Sequence, residues 1–520
     1  MTSPASAAAA TAPHLRTADE IRTARDRHSW SSSELLWVAV LVAAVAIPGA
    51  WQLSRASFWN DEAATWAISG HSLADLMHVL RNSGGDRGAA LYYGVAFAWM
   101  RVFGTSELAI RSLSLLAASA TMVPFHACAR RLVAPPAAWA AGAVLATSSF
   151  LLTYARDGRA YALAVLLVVV AAWTFLRAVD STSSRDWWIF TVLAAMAVYA
   201  HWFSALVVLA LFIALFWVRP VAALRRHALI SALALVALAL PIAVIVLAGA
   251  NSGVDWIAPL SVDEVRVVAS GFVGTSNPTP QVVMAVLLII GLIASCARRR
   301  DALPPPIVFT WFVVPVGLTI LVSTVKPLLV TRYLIVALPA FALLIGFGLS
   351  RVVGNRNWLL AGATLTLILL SYGNLWTSSS GGEDWRSIVA SIGQRAHRAD
   401  AIVVFPSTAV SAFSYYARGN SSLRDRSGPS WPPTQWNSPF NRSIPNQTVL
   451  QASSLAHSRV VWLVVRRPHG STVLKSIRES PVLAVLRKQL GQRFAAAVVL
   501  PPGRTSDPVF VIRYSQPTRP

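Results

Sequence analysis

Two adjacent carboxylates, Asp61 and Glu62, lie in the stretch FWNDEAATWAISG (Phe58–Gly70), just after the first long apolar run and between Trp59 and Trp66. A carboxylate so placed can take a proton from a reacting hydroxyl. A pair of them can hold Mg²⁺ or Mn²⁺, or simply cap a helix start. Further on, RDGRAY (Arg156–Tyr161) supplies Asp157, Arg159 and Tyr161, and Arg332 stands beside Tyr333 with Lys326 upstream. The planar fork of arginine bonds phosphate oxygens in pairs, whereas an arginine at head-group depth can also just snorkel. His201, Asp86 and the Tyr92–Tyr93 pair are the other polar or aromatic groups beside apolar runs.

The elements that must position these groups are apolar and long. The chain of 520 residues is 55% hydrophobic and 13% charged, with mean hydropathy +0.56. A soluble domain needs a more charged exterior. Runs of about 18 or more apolar residues recur, each enough to cross a hydrocarbon core. We expect a polytopic α-helical membrane protein with about eleven spans: 34–53, 109–131, 136–155, 159–178, 187–200, 202–218, 228–249, 281–297, 304–325, 328–350 and 357–376. The first 33 residues read as a disordered cytoplasmic tail, without a cleavable signal peptide. The net charge of +22 is almost wholly arginine. No basic helix or aromatic-basic face points to nucleic acid, and arginines beside spans fix topology. Cys128 and Cys296 fall near span ends and imply no disulfide framework.

Sidedness follows from the arginines. The segment Leu91–Gly104 is apolar but about 14 residues long, so we read it as an interfacial helix. Five alternate loops then carry twelve arginines: Arg130/Arg131, Arg177/Arg185, Arg219/Arg225/Arg226, Arg298–Arg300 and Arg351/Arg356. By the positive-inside rule these loops are cytoplasmic. The N-terminus is cytoplasmic too, while the loop 54–108 and everything after 377 lie outside. Within 377–520, AIVVF, VVWLVV, AAAVVL and VFVIRY read as short strands. Helices at 383–398 and 473–490 make a small α/β domain, and the Ser/Pro/Asn-rich 418–447 a long loop, lid or linker.

The candidate carboxylates, arginines, tyrosines and His201 then gather at the outer ends of spans, with none in mid-membrane. A transporter would place binding groups near the midplane, on broken or repeated helices. An interfacial site suits an enzyme acting on a polar head with a lipid tail.

The pattern resembles the GT-C glycosyltransferases, and more narrowly the family-39-like, protein-mannosyltransferase-type members of actinobacteria. The likeness rests on DEAAT (Asp61–Thr65), the Tyr92–Tyr93 pair followed by FGTSELAIRSLS (Phe103–Ser114), and ARDGRAYAL (Ala155–Leu163). It continues through AHWF (Ala200–Phe203), TRYLIVALPAFALL (Thr331–Leu344), EDWRSI (Glu383–Ile388) and DAIVVF (Asp400–Phe405). One departure stands out: a histidine often found shortly before the Tyr-Tyr pair is absent from DRGAALYY (Asp86–Tyr93), which leaves its role to His201 or to none.

The resemblance implies transfer of a sugar from a polyprenyl-phosphate donor to a cell-envelope glycan, glycolipid or protein, outside the plasma membrane. Mannose is the expected sugar, and arabinofuranose the rival. On this reading Asp61 is the general base, and Glu62 orients it, binds a cation or binds acceptor. Arg159, Arg332 and Lys326 would hold the donor phosphate. Asp86, Tyr92, Tyr93, Asp157, Tyr161, His201 and Tyr333 would line the substrate site. The tyrosines with Trp59, Trp66 and Trp202 would otherwise form an interfacial belt. No Gly-rich phosphate loop follows a strand, in keeping with a lipid-linked donor. A flippase of lipid-linked glycans, or an envelope scaffold with a sensing domain, are the readings from other classes.

Overall fold

The computed structural model describes residues 30–517 except 52, 71, 83–85, 182, 218–221, 249–256, 297–303, 355, 372–382, 398–399, 407–408, 421–422, 424–457, 467–480 and 501–508. Most of the loop expected at 418–447, the N-terminal tail and the first turns of the helix expected at 473–490 lie outside these residues. Residues 1–40 form one unit and 41–520 another, and the second holds every element after the first helix.

After α1 (Ser32–Ala50) come the short helices α2 (Asn60–Ser69), α3 (Leu73–Asn82) and α4 (Ala90–Phe103). The bundle proper then runs α5 (Glu107–Leu132), α6 (Pro135–Ala146), α7 (Ser149–Ala155), α8 (Tyr161–Ser181), α9 (Ser184–Ala200) and α10 (Ser204–Ala214). It continues with α11 (Ala222–Ala248), α12 (Val262–Val273), α13 (Pro278–Cys296), α14 (Pro304–Ser323), a 3₁₀ run Thr331–Ala337, α15 (Leu338–Val353) and α16 (Asn357–Ser371). Among the described residues seven helices are long and apolar enough to cross a membrane, or eight with the pair α6–α7, which bends by 49°. Each of the eleven expected spans has a helix. The shortfall lies in α10 and α16, which are apolar but short, and in α9, whose first turn Ser-Arg-Asp is polar. At 14 residues α4 is about 21 Å long, well under a hydrocarbon core.

The C-terminal region holds the expected helices α17 (Trp385–Arg395) and α19 (Pro481–Arg493), with a further helix, α18 (Val410–Ala417), between them, and the four expected strands. These are β1 (Ala401–Phe405), β2 (Val460–Arg466), β3 (Phe494–Leu500) and β4 (Val509–Pro517), in sheet order β1-β2-β4-β3. β1 and β2 are parallel, and the other two pairings antiparallel. One continuous apolar core joins this region to α2–α4, with Phe58, Tyr92, Tyr93, Trp385, Phe413 and Trp462 all buried in it. The short helices of the first loop are therefore clamped between bundle and sheet.

Candidate active site

α2 starts at Asn60, which puts Asp61 and Glu62 in its first turn, where the exposed N–H groups favour negative charge. The two carboxylates have different surroundings. Glu62 is buried: Arg111 Nε donates to its Oε1 at 2.7 Å and Nη2 to its Oε2 at 2.6 Å. The Gly158 N–H adds a bond to Oε1 at 2.9 Å, and the Trp59 N–H reaches Oε2 at 3.4 Å. Arg111 also donates to the carbonyls of Leu53, Ala56 and Ser57, tying α5 to the chain entering α2. A Cβ at position 158 would stand 2.7 Å from Ile110 Cγ2, so glycine is what lets the RDGRAY loop come this close. With its oxygens so engaged, Glu62 does not fit a paired-carboxylate cation site with Asp61.

Asp61 keeps 27% of its side chain exposed, and its Oδ2 lies 3.8 Å from Arg332 Nη2. Arg159 Nη1 donates to the backbone carbonyl of Asp61 at 3.1 Å and to the Tyr93 hydroxyl at 2.9 Å. Two arginines from distant parts of the chain therefore flank the Asp61 turn. Arg332 sits over the rings of Trp59 and Tyr333, at 5.9 and 5.6 Å. Trp59 in turn donates its indole N–H to Asp157 at 3.1 Å. Burial, and secondarily the charge of Glu62, push the Asp157 carboxyl up to about 8. His201, at the end of α9, is buried against Tyr161, Tyr333 and Phe203. Burial first, then Arg159 and Arg332, push its imidazole down to about 3, so it is neutral at physiological pH.

Asp61, Glu62, Tyr93, Asp157, Arg159, Tyr161, His201, Arg332 and Tyr333 are thus brought to one end of the bundle. Tyr92 and Tyr93 are not belt residues, because both are wholly inside the core, where a phenol is held by packing rather than by head groups. Trp59 likewise belongs to the site rather than to a belt. Lys326 is half-buried in the bend after α14. Asp86 lies in the 3₁₀ turn Asp86–Ala89, its side chain outside the described residues. Arg111, which the sequence reading did not single out, is the residue that holds Glu62, although it stands within FGTSELAIRSLS; a lone arginine four residues into an apolar helix was the available signal. Among the described residues no three or more His, Cys, Asp or Glu converge as a metal site.

Beside this end, an apolar cavity of about 270 Å³ lies among α12, α13, α14 and α15, lined by Val268, Phe272, Met284, Phe312, Leu329 and Phe341. α12 presses on the Arg332 turn so closely that a Cβ at Gly271 would meet Thr331 Cγ2 at 2.3 Å.

Residues 91–246 match the family model described as dolichyl-phosphate-mannose-protein mannosyltransferase. No curated protein sequence matches the chain. Among solved structures, ArnT from Cupriavidus metallidurans in the apo state superposes with a TM-score of 0.57 at 13% identity, covering 93% of this chain and 98% of that one. The chain has the GT-C fold. AglB from Archaeoglobus fulgidus, in complex with an inhibitory peptide and a dolichol-phosphate, shares that fold at a TM-score of 0.53 and 10% identity, over 91% of this chain and 74% of that one. The arabinofuranosyltransferase AftD from Mycobacteria does so at 0.53 and 16%, over 94% of this chain. This chain spans only 40% of AftD's length. The likeness to GT-C proteins of the protein-mannosyltransferase type is thus borne out.

Proposed function

We propose that the protein is a membrane glycosyltransferase that moves a sugar, mannose, from a polyprenyl-phosphate donor to a hydroxyl of a cell-envelope glycan, glycolipid or protein. The observation that carries this reading is the unequal pair: Glu62 is tied down by Arg111, while Asp61 remains accessible 3.8 Å from Arg332. A base beside fixed cations, next to a cavity lined by apolar side chains, suits a hydroxyl attacking a lipid-linked phosphosugar. The prenyl tail would occupy the cavity among α12–α15, and the phosphate would lie at Arg332 and Arg159. Support for such a donor comes from relatives of the same fold, ArnT bound to undecaprenyl phosphate and AglB with dolichol-phosphate. The mannose assignment leans on the family match over residues 91–246.

In the reaction, the acceptor O–H gives its proton to Asp61 as its oxygen bonds to the anomeric carbon. The bond from that carbon to the phosphate oxygen breaks with its electron pair staying on the phosphate, which the arginines neutralise. A single displacement inverts the anomeric configuration. Glu62 acts through α2, holding Asp61 in register with Arg159 and Arg332. The positive-inside rule applied to the arginine-rich loops supports an extracytoplasmic location for this end of the bundle.

The test is turnover by purified protein supplied with radiolabelled polyprenyl-phosphate mannose, polyprenyl-phosphate arabinose or nucleotide sugars. Transfer from the mannose lipid supports the reading, transfer only from the arabinose lipid changes the sugar, and transfer only from nucleotide sugars overturns it.

A further inference from the structure

The opposite end of α9 holds another cavity, polar in its lining and of about 180 Å³, between α9 and α11. α9 has 17 residues, so this cavity is about 25 Å along the helix from His201 and the catalytic end. Its polar lining comes from Ser184, Trp187, Thr191, Arg226, His227 and Ser231. Three of these groups are already fixed by one another: Thr191 Oγ1 donates to the Trp187 carbonyl at 2.8 Å and pairs with Ser231 Oγ at 2.6 Å. Ser184 Oγ holds His227 Nε2 at 2.9 Å.

Two nitrogens in the lining are buried without a hydrogen-bond partner among the described residues, Trp187 Nε1 and His227 Nδ1. Trp187 is only 2% exposed, so its N–H has lost water without gaining an acceptor. A buried donor left in that state costs free energy, and a ligand oxygen would relieve it. The positive signs agree. Arg226 lines the cavity, Arg225 and Arg185 are exposed and adjacent in sequence to lining residues, and Ser183 at the start of α9 makes no side-chain cap to the helix. The nearby acid, Asp186, lies 3.7 Å from Arg177. An anion with several acceptor oxygens is the matching chemistry.

The walls around the cavity say what carries that anion. Trp188 of α9 and Ile230 of α11 line the cavity and, like Ile189, Val192, Leu229 and Leu233 on the same two helices, are exposed large apolar residues. In a membrane such a surface meets acyl chains. We propose that this cavity binds the phosphate of an anionic phospholipid from the leaflet opposite the catalytic end. The phosphate oxygens accept from Trp187 Nε1–H, the His227 ring and Arg226, and the acyl chains run along the α9–α11 surface. The cavity is smaller than the roughly 300–1,000 Å³ of sites for drug-sized ligands, which suits a head group entering from its side. This inference is independent of the transferase reading.

The test uses full-length protein in detergent, titrated separately with phosphatidylglycerol, phosphatidylcholine and inorganic phosphate, with bound adducts counted by native mass spectrometry. Trp187→Phe keeps the ring and removes the donor, and Arg226→Gln, at an exposed position, is the variant least able to disturb folding. The expected result is preference for phosphatidylglycerol over phosphatidylcholine in the wild type. Arg226→Gln should weaken the first phosphatidylglycerol by about ten-fold, and Trp187→Phe by several-fold, as for hydrogen bonds to a charged partner. Equal phosphatidylglycerol binding by wild type and both variants would overturn the proposal. So would tight retention of inorganic phosphate with no lipid preference.

Discussion

Glu383 accepts the backbone N–H of Asn60, the residue immediately before Asp61, at 3.1 Å. The same oxygen takes the Trp385 indole N–H at 2.8 Å, while the other is held by Arg466 Nε and Nη2, each at 2.9 Å. A carboxylate from the C-terminal region thus sits on the buried first turn of α2, held there by an arginine at the end of β2. Tyr416 adds a second tie, bonding the Phe58 N–H at 2.6 Å and the Glu107 carboxylate. The sheet therefore positions the helix that carries Asp61.

Removing that clamp should slow transfer more than it weakens donor binding. Glu383→Gln, whose amide oxygen can still accept from Arg466 while its NH₂ faces the Asn60 N–H, is expected to lower kcat by about ten- to a hundred-fold, the scale of misplacing a reacting group by about 1 Å. KM for the lipid donor should move little, because Arg332 and the apolar cavity are not touched. Steady-state kinetics decide it; an unchanged kcat would mean that the sheet does not position Asp61.

Asp61→Asn keeps the size of the side chain and removes its basic oxygen. Transfer should fall by about 10² to 10⁴ while expression and binding of polyprenyl phosphate persist. Retention of more than about a tenth of the wild-type rate would move the base elsewhere, to Asp157 first.

The Arg111–Glu62 pair predicts the opposite kind of defect. Arg111→Met strands a buried carboxylate among the Gly158 and Trp59 amides, and removing one partner of a buried pair costs about 3–5 kcal/mol. Thermal unfolding in detergent should drop sharply. Normal stability with lost activity would argue for a catalytic Glu62.

The Asp61–Glu62 pair and the arginines at 159 and 332 were legible in the sequence because charge beside apolar runs is costly and stands out. The expected spans and all four strands were legible for a similar reason, since their apolar periodicity is local, whereas α12 and α18 are short and were not expected. What was not legible is which carboxylate is engaged. That depends on Arg111, 49 residues away, and on Glu383, 323 residues from Asn60, and no local pattern encodes either contact. Tyr93 and Trp59 left two readings open in the sequence, because an amphipathic ring looks the same in a membrane belt and in a buried site. The clamping of α2 to the sheet needed tertiary packing to be seen.

Asp157 gives a pH signature. Its carboxyl is raised from the usual carboxylate range to about 8, so the folded protein keeps a proton that the unfolded chain has lost. Stability from this group is full below about pH 4 and falls as pH rises toward 8. Asp157→Asn should flatten unfolding temperature across that window. A wild-type profile that rises from pH 5 to pH 8, with no change in the variant, would mean that Asp157 is ionised in the folded protein.

Topology underlies all of the proposed chemistry, and single cysteines in a background lacking Cys128 and Cys296 can read it. Ser72 before α3, Ser181 at the end of α8 and Ala390 in α17 are each exposed. With α4 in the interface and the arginine-rich loops inside, Ser72→Cys and Ala390→Cys should react with an impermeant maleimide in intact cells. Ser181→Cys should react only after permeabilisation. Because α2 and α17 share one core, Ser72 and Ala390 must label on the same side whatever the orientation. Labelling of Ser181→Cys alone in intact cells would put Asp61 and both arginines on the cytoplasmic side, and a donor presented outside could not reach them.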